Sequence, residues 1–260
     1  MLGCDPLTAL LGAGLDPRSP QVVWKRYLRA LAEYGAAVRM LGPDVMLADG
    51  IDPVSASALV ELAKRYPPGE PMPVESAGVL AAMGQLDVTG ERINARVAAY
   101  FRHITKVVGK ELAEPLLSSG AITASAGIHV AGSHLVAVMV HDAEQLTLWR
   151  TWATQVSGDL REMHTAPTLV LSTMPGGGIY LFRTPATAGP DKGADTRFEP
   201  LPELQMMVGG CLVTAGDVTV PIPPTRMFGH HVMRLGSCRA LPAWLESMLR
   251  THGAPAETAA

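Results

Sequence analysis

The feature that most constrains the fold of this chain is a change of hydrophobic periodicity near Gly120. Before this residue, apolar side chains recur every three or four positions, which is the spacing of one face of an α-helix. After it, they occur in short β-rich runs separated by glycine or proline, which is typical of strands and turns. The switch predicts an α+β protein with a helical N-terminal part, a mixed β-sheet and a C-terminal helix.

Three helices are predicted before the switch. The first spans residues 21–41, and the second begins with Asp52 as its N-cap and Pro53 at the first helical position. The third spans residues 93–112 and is closed by Pro115, since proline lacks the N–H that a helix interior needs.

One helix at 143–156 interrupts the predicted strands, and a last helix covers 241–250. We therefore expect a mostly helical region at 1–120, partly integrated with the sheet, and an α+β domain at 121–252. The final residues, 253–260, are expected to be a disordered tail.

The charge of the chain restricts its partners. With 21 Lys+Arg against 24 Asp+Glu and a net charge of −3, the protein is not expected to coat nucleic acid by bulk charge. Any contact with nucleic acid must therefore come from a local cluster of cations.

The three cysteines have no C-x-x-C spacing, which argues against a cysteine-bound zinc ion and favours a reducing, cytoplasmic location. No run of 18 apolar residues is present, and the N-terminus carries Asp5 where a signal peptide would carry basic residues. We therefore expect no membrane partner.

Three stretches of the second half carry a resemblance to a known family. They are GIHVAGSHLVAVMVHDAEQLTLWRTWA, LSTMPGGGIYLFR and VGGCLVTAGDVTVPIPPTRMFGHHVMRLGSCRALPAWLESML. Together they resemble the bifunctional DNA primase/polymerase (prim-pol) family of the archaeo-eukaryotic primase superfamily. The most specific part is the PPTR turn at 223–226 followed by LPAWL at 241–245, and 21–50 resembles the family's opening helix and strand less distinctly. The resemblance implies an RRM-like sheet.

The resemblance also implies where a catalytic metal site would lie. The family holds divalent ions with two acidic residues, D-x-D, at the end of the central strand, because two carboxylates on one face bind the cations of phosphoryl transfer. The matching positions here are Met139 and His141, while the family's nucleotide-contacting histidine matches Ile179 and its third acid matches Gln205. A thioether is a poor ligand for magnesium or manganese. We therefore expect a catalytically degenerate scaffold that needs no cofactor.

Two interpretations of the neighbouring acidic residues remain open. His141, Asp142 and Glu144 would form a relocated site for magnesium or manganese if the strand end were bulged. Alternatively, Asp142 caps the helix that follows and Glu144 lies in its first turn, where a negative charge is favourable. The cap interpretation requires no metal and is the one we favour.

Further candidates for nucleotide or nucleic-acid binding are of two kinds. The run Gly176, Gly177 and Gly178 is either an anion-binding nest beside a nucleotide cleft or a tight turn, with Arg183 and Arg226 as the nearest cations able to meet phosphates.

The second kind is a row of cations along the third predicted helix. Lys106 and Lys110 follow Arg102 at four-residue spacing, and Arg92 and Arg96 precede them. Such a row either contacts a nucleic-acid backbone or is a solvated helix face.

Three functions follow as hypotheses. The first is a non-catalytic prim-pol-like protein, of phage or mobile-element type, that binds DNA, nucleotide or a replication or regulatory protein. The second is an active primase, polymerase or other nucleotidyl-transfer enzyme with the relocated metal site. The third is a protein-interaction module.

Overall fold

The structure is a computed structural model, and the part of the chain that it describes contains six α-helices and eleven strands. The described residues are 7, 10–11, 15–16, 18–75, 90–160, 169–172, 177–184, 186–187, 197–198, 201, 205–222, 225, 232–234 and 239–253. Most of the predicted tail, from residue 254 onward, therefore lies outside them.

The chain divides into two compact units. The first, called the helical unit below, comprises Ala9–His129 and Thr219–His231. Numbered in chain order, its helices are α1 (Gln21–Glu33), α2 (Pro53–Arg65), α3 (Gly90–Val108) and α4 (Lys110–Ser119). Its antiparallel sheet has the order β1 (Val38–Val45), β2 (Ile122–His129) and β10 (Thr219–Ile222).

The start of α2 confirms the predicted cap. Asp52 Oδ1 accepts hydrogen bonds from the backbone N–H groups of Val54, at 3.0 Å, and Ser55, at 2.9 Å. A hydrogen bond with the Ser55 side chain, and after it these backbone bonds, hold the pKa of Asp52 below its usual value, because they favour the charged carboxylate. The cap and Pro53 together define this end of the helix.

The first predicted helix is wrong beyond Glu33. Gly35 has a φ of +84°, which interrupts the helix, and the chain from Val38 onward forms β1 instead. Val38 and Leu41 fit the helical spacing only because β1 is buried on both faces, which leaves an almost continuous apolar run. A helix followed by a strand is the order expected for 21–50 from the family resemblance.

The predicted end of the long helix is also wrong. Gly109, with a φ of +89°, ends α3, and a new helix starts at Lys110. Pro115 lies inside this new helix, α4, rather than after it.

Polar side chains from other elements anchor the buried middle strand of the helical unit. The fully buried Tyr100 of α3 accepts a hydrogen bond from the backbone N–H of Ser125 at 2.9 Å, and burial raises the pKa of this phenol. The Thr225 hydroxyl accepts the N–H of Ala126 at 2.8 Å and donates to its carbonyl at 2.7 Å. Thr225, from the turn that carries the resemblance, therefore satisfies backbone groups that burial would otherwise leave unpaired.

The second unit, called the sheet unit below, comprises Met1–Thr8, Val130–Val218 and Val232–Ala260. Its antiparallel six-stranded sheet has the order β11 (Val232–Arg234), β4 (Leu169–Ser172), β5 (Gly178–Arg183), β3 (Leu135–Val140), β9 (Cys211–Thr214) and β8 (Gln205–Val208). A small ribbon pairs β6 (Ala186–Thr187) with β7 (Arg197–Phe198). Two helices, α5 (Ala143–Ser157) and α6 (Ala243–Gly253), complete the described part of this unit.

One face of this sheet packs against both helices. Alternate residues of β3 point to this side and form a core with residues of β5, β8, β9 and the helices, which include Val136, Val138, Val140, Phe182, Val208, Val213, Trp149, Leu245 and Leu249. Three tryptophans lie at this core, with ring centroids 6.0 Å apart for Trp149 and Trp152, and 5.7 and 5.4 Å from each to Trp244. Burial of these side chains holds α5 and α6 on the sheet.

The predicted α+β class is thus confirmed, including the C-terminal helix. The domain limits predicted from the sequence stay a prediction. Among the described residues, no helix combines the length and the apolar character needed to cross a membrane.

Candidate functional site

The positions that resemble the prim-pol metal site lie on the sheet face opposite to the two helices. Met139 of β3 is paired directly with Ile179 of β5 on one side and with Leu212 of β9 on the other. Gln205 of β8 is paired with Thr214, which in turn is paired with Ala137. Since paired residues point to the same side, Met139, Ile179 and Gln205 share one face of the sheet.

The row through Met139 is apolar across four strands. Met139, Ile179 and Leu212 are half-buried, and Met207 of the edge strand β8, paired with Leu212, is 66% exposed. Thioether and alkyl groups offer no oxygen ligand for a hard divalent cation. This row can make apolar contacts, but its side chains cannot hold magnesium in the manner of a D-x-D pair.

The structure gives Asp142 the role of helix cap. Its carboxylate accepts the backbone N–H of Gln145 at 2.8 Å, and Glu144 lies exposed in the first turn of α5. The Gln145 side chain accepts the backbone N–H of His141 at 2.6 Å and donates to the carbonyl of Gly210. The strand end, the helix start and the β8–β9 turn are therefore joined through one glutamine.

The described side chains offer neither a clustered metal site nor an activated cysteine. Among the described residues, no group of three or more His, Cys, Asp or Glu side chains lies close enough together to hold a metal ion. Cys211 is buried, and burial, reinforced by the charge of Asp142, raises the pKa of its thiol to about 11. A thiol in this state is a poor nucleophile at neutral pH.

Of the three predicted nest glycines, Gly177 has a steric reason for its identity, and Gly176 lies outside the described residues. A Cβ at Gly177 would collide with the backbone carbonyl of His141. Gly178 is the first residue of β5 and is paired with Val140. Binding of phosphate by these glycines stays a prediction.

Arg183 ends β5, and Arg226 lies outside the described residues. The backbone N–H of Arg183 donates to the carbonyl of Arg239 at 2.9 Å, and its carbonyl accepts from Leu241 at 2.7 Å. Its side chain is half-buried, and its charge, after burial, lowers the pKa of His134. Arg183 therefore connects β5 to the segment that precedes α6.

In the helical unit, a row of side chains on α3 forms a groove with a positive charge. The groove is lined by Ala99, Arg102, His103 and Lys106, which lie at the spacing of one helix face, and its volume is about 280 Å³. Helix α2 packs against α3 and ends at Arg65. We call Arg65, Arg102, His103 and Lys106 the basic patch.

The ring of His103 connects the two helices of the patch. Its Nδ1 lies 2.9 Å from the hydroxyl of Tyr66, the residue after Arg65, and the two rings meet edge to face with centroids 5.7 Å apart. This hydrogen bond places the end of α2 beside the groove of α3, so that Arg65 joins the two cations of α3.

Burial and the cations of the patch lower the pKa of the histidine between them. The pKa of His103 is lowered from its usual 6.5, first by burial and then by the charges of Lys106, Arg102 and Arg65. Within the described segments, none of these three cations forms an ion pair with a carboxylate. By contrast, Arg29 and Glu33 lie 2.9 Å apart in an i,i+4 pair on α1.

The structure separates the cations that the sequence placed in one row. Lys106 belongs to the patch, whereas Lys110 lies beyond the break at Gly109 and lines another recess, together with Glu111 and Glu114. Arg96 was predicted to be part of the exposed row, but it is buried and its guanidinium donates to the carbonyl of Val38 at 2.7 Å.

Sequence reasoning missed His103 and Arg65. His103 could have been found, since Ala99, Arg102, His103 and Lys106 follow the i, i+3, i+4, i+7 pattern of one helix face. Arg65 lies 38 positions before His103, and no sequence signal brings α2 to α3 at this point.

Comparison with known proteins adds no relative. No protein-family model, curated protein or solved structure matches this chain. The prim-pol resemblance accordingly stays a prediction from the motifs.

Proposed function

We propose that this protein binds nucleic acid through the basic patch and does not catalyse nucleotide transfer at the sheet face. The observation that carries the proposal is that Arg102 and Lys106 line one groove and that Arg65 acts on the same His103, while none of the three pairs with a carboxylate among the described residues. In a chain with a net charge of −3, such a cluster is the local feature that a nucleic-acid contact requires.

The expected binding is weak and depends on salt. Three cations that each neutralise one phosphate of a single strand give a slope of log K against log salt of about −2. This slope corresponds to a loss of affinity of about 20-fold between 50 and 200 mM salt. The groove contains no side chain arranged to distinguish bases, so we expect little preference for sequence.

The absence of nucleotide transfer is supported by the chemistry of the sheet face. Its central row carries Met139, Ile179 and Leu212 where two-metal catalysis needs carboxylates. The nearest acid, Asp142, already accepts the hydrogen bond that caps α5. A DNA- or nucleotide-binding role that retains the prim-pol-like scaffold is consistent with both features.

The test of binding is a titration of a fluorescently labelled 20-nucleotide single strand, followed by anisotropy at several salt concentrations. Arg102→Glu should weaken binding by about tenfold or more and reduce the salt slope by about 1, since a phosphate contact becomes a repulsion. Arg250→Glu is the matched control, because it changes the net charge equally but lies on α6, where Arg250 pairs with Glu246 at 2.9 Å.

Two results would contradict the proposal. If Arg102→Glu and Arg250→Glu weaken binding equally, the patch is not the contact surface. If the wild-type protein extends a primer with manganese and nucleoside triphosphates, the non-catalytic part is wrong.

A further inference from the structure

Among the residues that the structure describes, one ring nitrogen of His103 in the basic patch has no hydrogen-bond partner. Nδ1 lies 2.9 Å from the Tyr66 hydroxyl, whereas Nε2 forms no hydrogen bond with any described residue. The ring also lines the groove between Arg102 and Lys106. An anion that bound in this groove would therefore meet the imidazole together with the two cations.

The hydroxyl of Tyr66 suits both protonation states of this ring. When His103 is neutral with its ring hydrogen on Nε2, the Tyr66 hydroxyl donates to Nδ1. When His103 is charged, Nδ1–H donates to the hydroxyl oxygen instead. The contact between the rings is kept in both states, and in both Nε2 carries a hydrogen that can be donated to an oxygen of a ligand.

We infer that His103 donates Nε2–H to a phosphate oxygen of the bound strand, and that nucleic acid binds to this groove with uptake of a proton. This inference rests on the proposed function and names a contact residue and a proton linkage that the function does not itself require. The ligand group is a phosphate, since a tetrahedral anion can accept from the imidazole and the flanking cations together.

The charges around the ring set the direction of the linkage. Arg65 and Tyr66 face it from α2, and Arg102 and Lys106 face it from α3. In the free protein, burial and the three cations hold the pKa of His103 below 6.5. A phosphate would offset the three positive charges and accept from Nε2, so the pKa of His103 is higher in the complex.

The direction of the pH dependence of binding follows from the higher pKa of His103 in the complex. Above both pKa values the ring is neutral in both states, and the affinity does not depend on this group. As the pH falls through the higher pKa, the complex takes up the proton first and the affinity rises. The rise is about tenfold for each unit by which the pKa increases on binding, and it is complete below the lower pKa.

The experiment combines two measurements on the full chain with the 20-nucleotide single strand. NMR of the His103 ring proton gives its pKa in the free and bound protein, and calorimetry at pH 6 in two buffers with different ionisation enthalpies counts the protons taken up. We expect a higher pKa in the complex and net proton uptake by the wild type.

The variant His103→Gln should bind more weakly at pH 6 and should lose the proton uptake. His252→Gln is the matched control, since it removes an exposed histidine of α6 in the sheet unit. Thermal unfolding checks that both variants are folded. Equal proton uptake by His103→Gln and the wild type would overturn the inference.

Failure of the inference can be distinguished from failure of the proposed function. Binding that is sensitive to Arg102→Glu but has no proton uptake overturns the role of His103 and leaves nucleic-acid binding in place. If the strand does not bind at any pH, the proposed function is wrong. The phosphate contact of His103 is then tested with inorganic pyrophosphate in place of the strand. A pKa rise of His103 with pyrophosphate supports a phosphate site, and an unchanged pKa overturns it.

Discussion

The two sheets of this protein are stabilised by different chemistry. In the sheet unit, one face of the β-sheet packs on apolar side chains of α5 and α6, with Trp149 at their centre. In the helical unit, the buried strand β2 is also anchored by side-chain hydrogen bonds, from Tyr100 to Ser125 and from Thr225 to Ala126.

The two units also differ in the side chains that they expose. The central row of the sheet unit exposes methionine and aliphatic groups, whereas the helical unit exposes the three cations of the basic patch. None of the positions that match the family's catalytic residues, Met139, His141, Ile179 and Gln205, is thus a carboxylate. The cations proposed to bind nucleic acid lie within residues 51–120, which are outside the three stretches that carry the resemblance.

The largest expected effect tests whether apolar packing dominates in the sheet unit. Trp149→Ala removes a side chain that is only 9% exposed, and it should lower the free energy of unfolding by about 3–5 kcal/mol. Leu148→Ala, at an adjacent but 55% exposed position of α5, should change it by no more than about 0.5 kcal/mol. Urea unfolding followed by far-UV circular dichroism measures both free energies of unfolding. Equal losses in the two variants would show that burial of Trp149 does not dominate the stability of the sheet unit.

A smaller effect tests the polar anchors of the helical unit. Thr225→Val keeps the shape of the side chain but leaves the N–H and the carbonyl of Ala126 without this partner, at a cost of about 1–3 kcal/mol. Thr225→Ser keeps the hydroxyl and loses one methyl group, about 0.8 kcal/mol. If urea unfolding shows the valine variant to be as stable as the serine variant, the hydroxyl does not anchor β2.

The smallest effect tests the role of Asp142, the acid for which a helix cap and a relocated metal site were the two interpretations. Asp142→Ala should destabilise the protein by about 0.5–2 kcal/mol, because α5 loses its N-cap, and should leave oligonucleotide affinity unchanged. Asp142→Asn should be close to wild type in thermal unfolding, since asparagine is an equally good cap. A loss of manganese binding in both variants would instead identify Asp142 as a metal ligand.

Local signals in the sequence predicted several elements. Asp52 with Pro53, and Asp142 before α5, are capping residues whose bonds involve only the next three residues, so tertiary structure has little influence on them. The end of α1 was predicted too late, because Val38 and Leu41 satisfy a helical period although they lie in a buried strand.

The residues of the candidate site were predicted less well from the sequence. Lys106 and Arg102 were identified, but Arg96 was assigned to the same row although it lies three residues after Ile93 and four before Tyr100, both buried. Its spacing alone places it on the buried face of α3. Arg65 lies near enough to act on His103 only because α2 packs against α3, which is a tertiary contact that periodicity does not encode.

Gln145 imposes a restriction of another kind on how this protein can evolve. Its side chain binds the backbone N–H of His141 and the backbone carbonyl of Gly210, so neither partner is recognised through a side chain. Substitutions at His141 or Gly210 would leave the two bonds available. Position 210 nevertheless favours glycine for a separate reason, its φ of +79°. An inserted or deleted residue in the β8–β9 turn would instead move the carbonyl out of reach. The turn is therefore expected to vary in sequence more readily than in length among descendants of this chain.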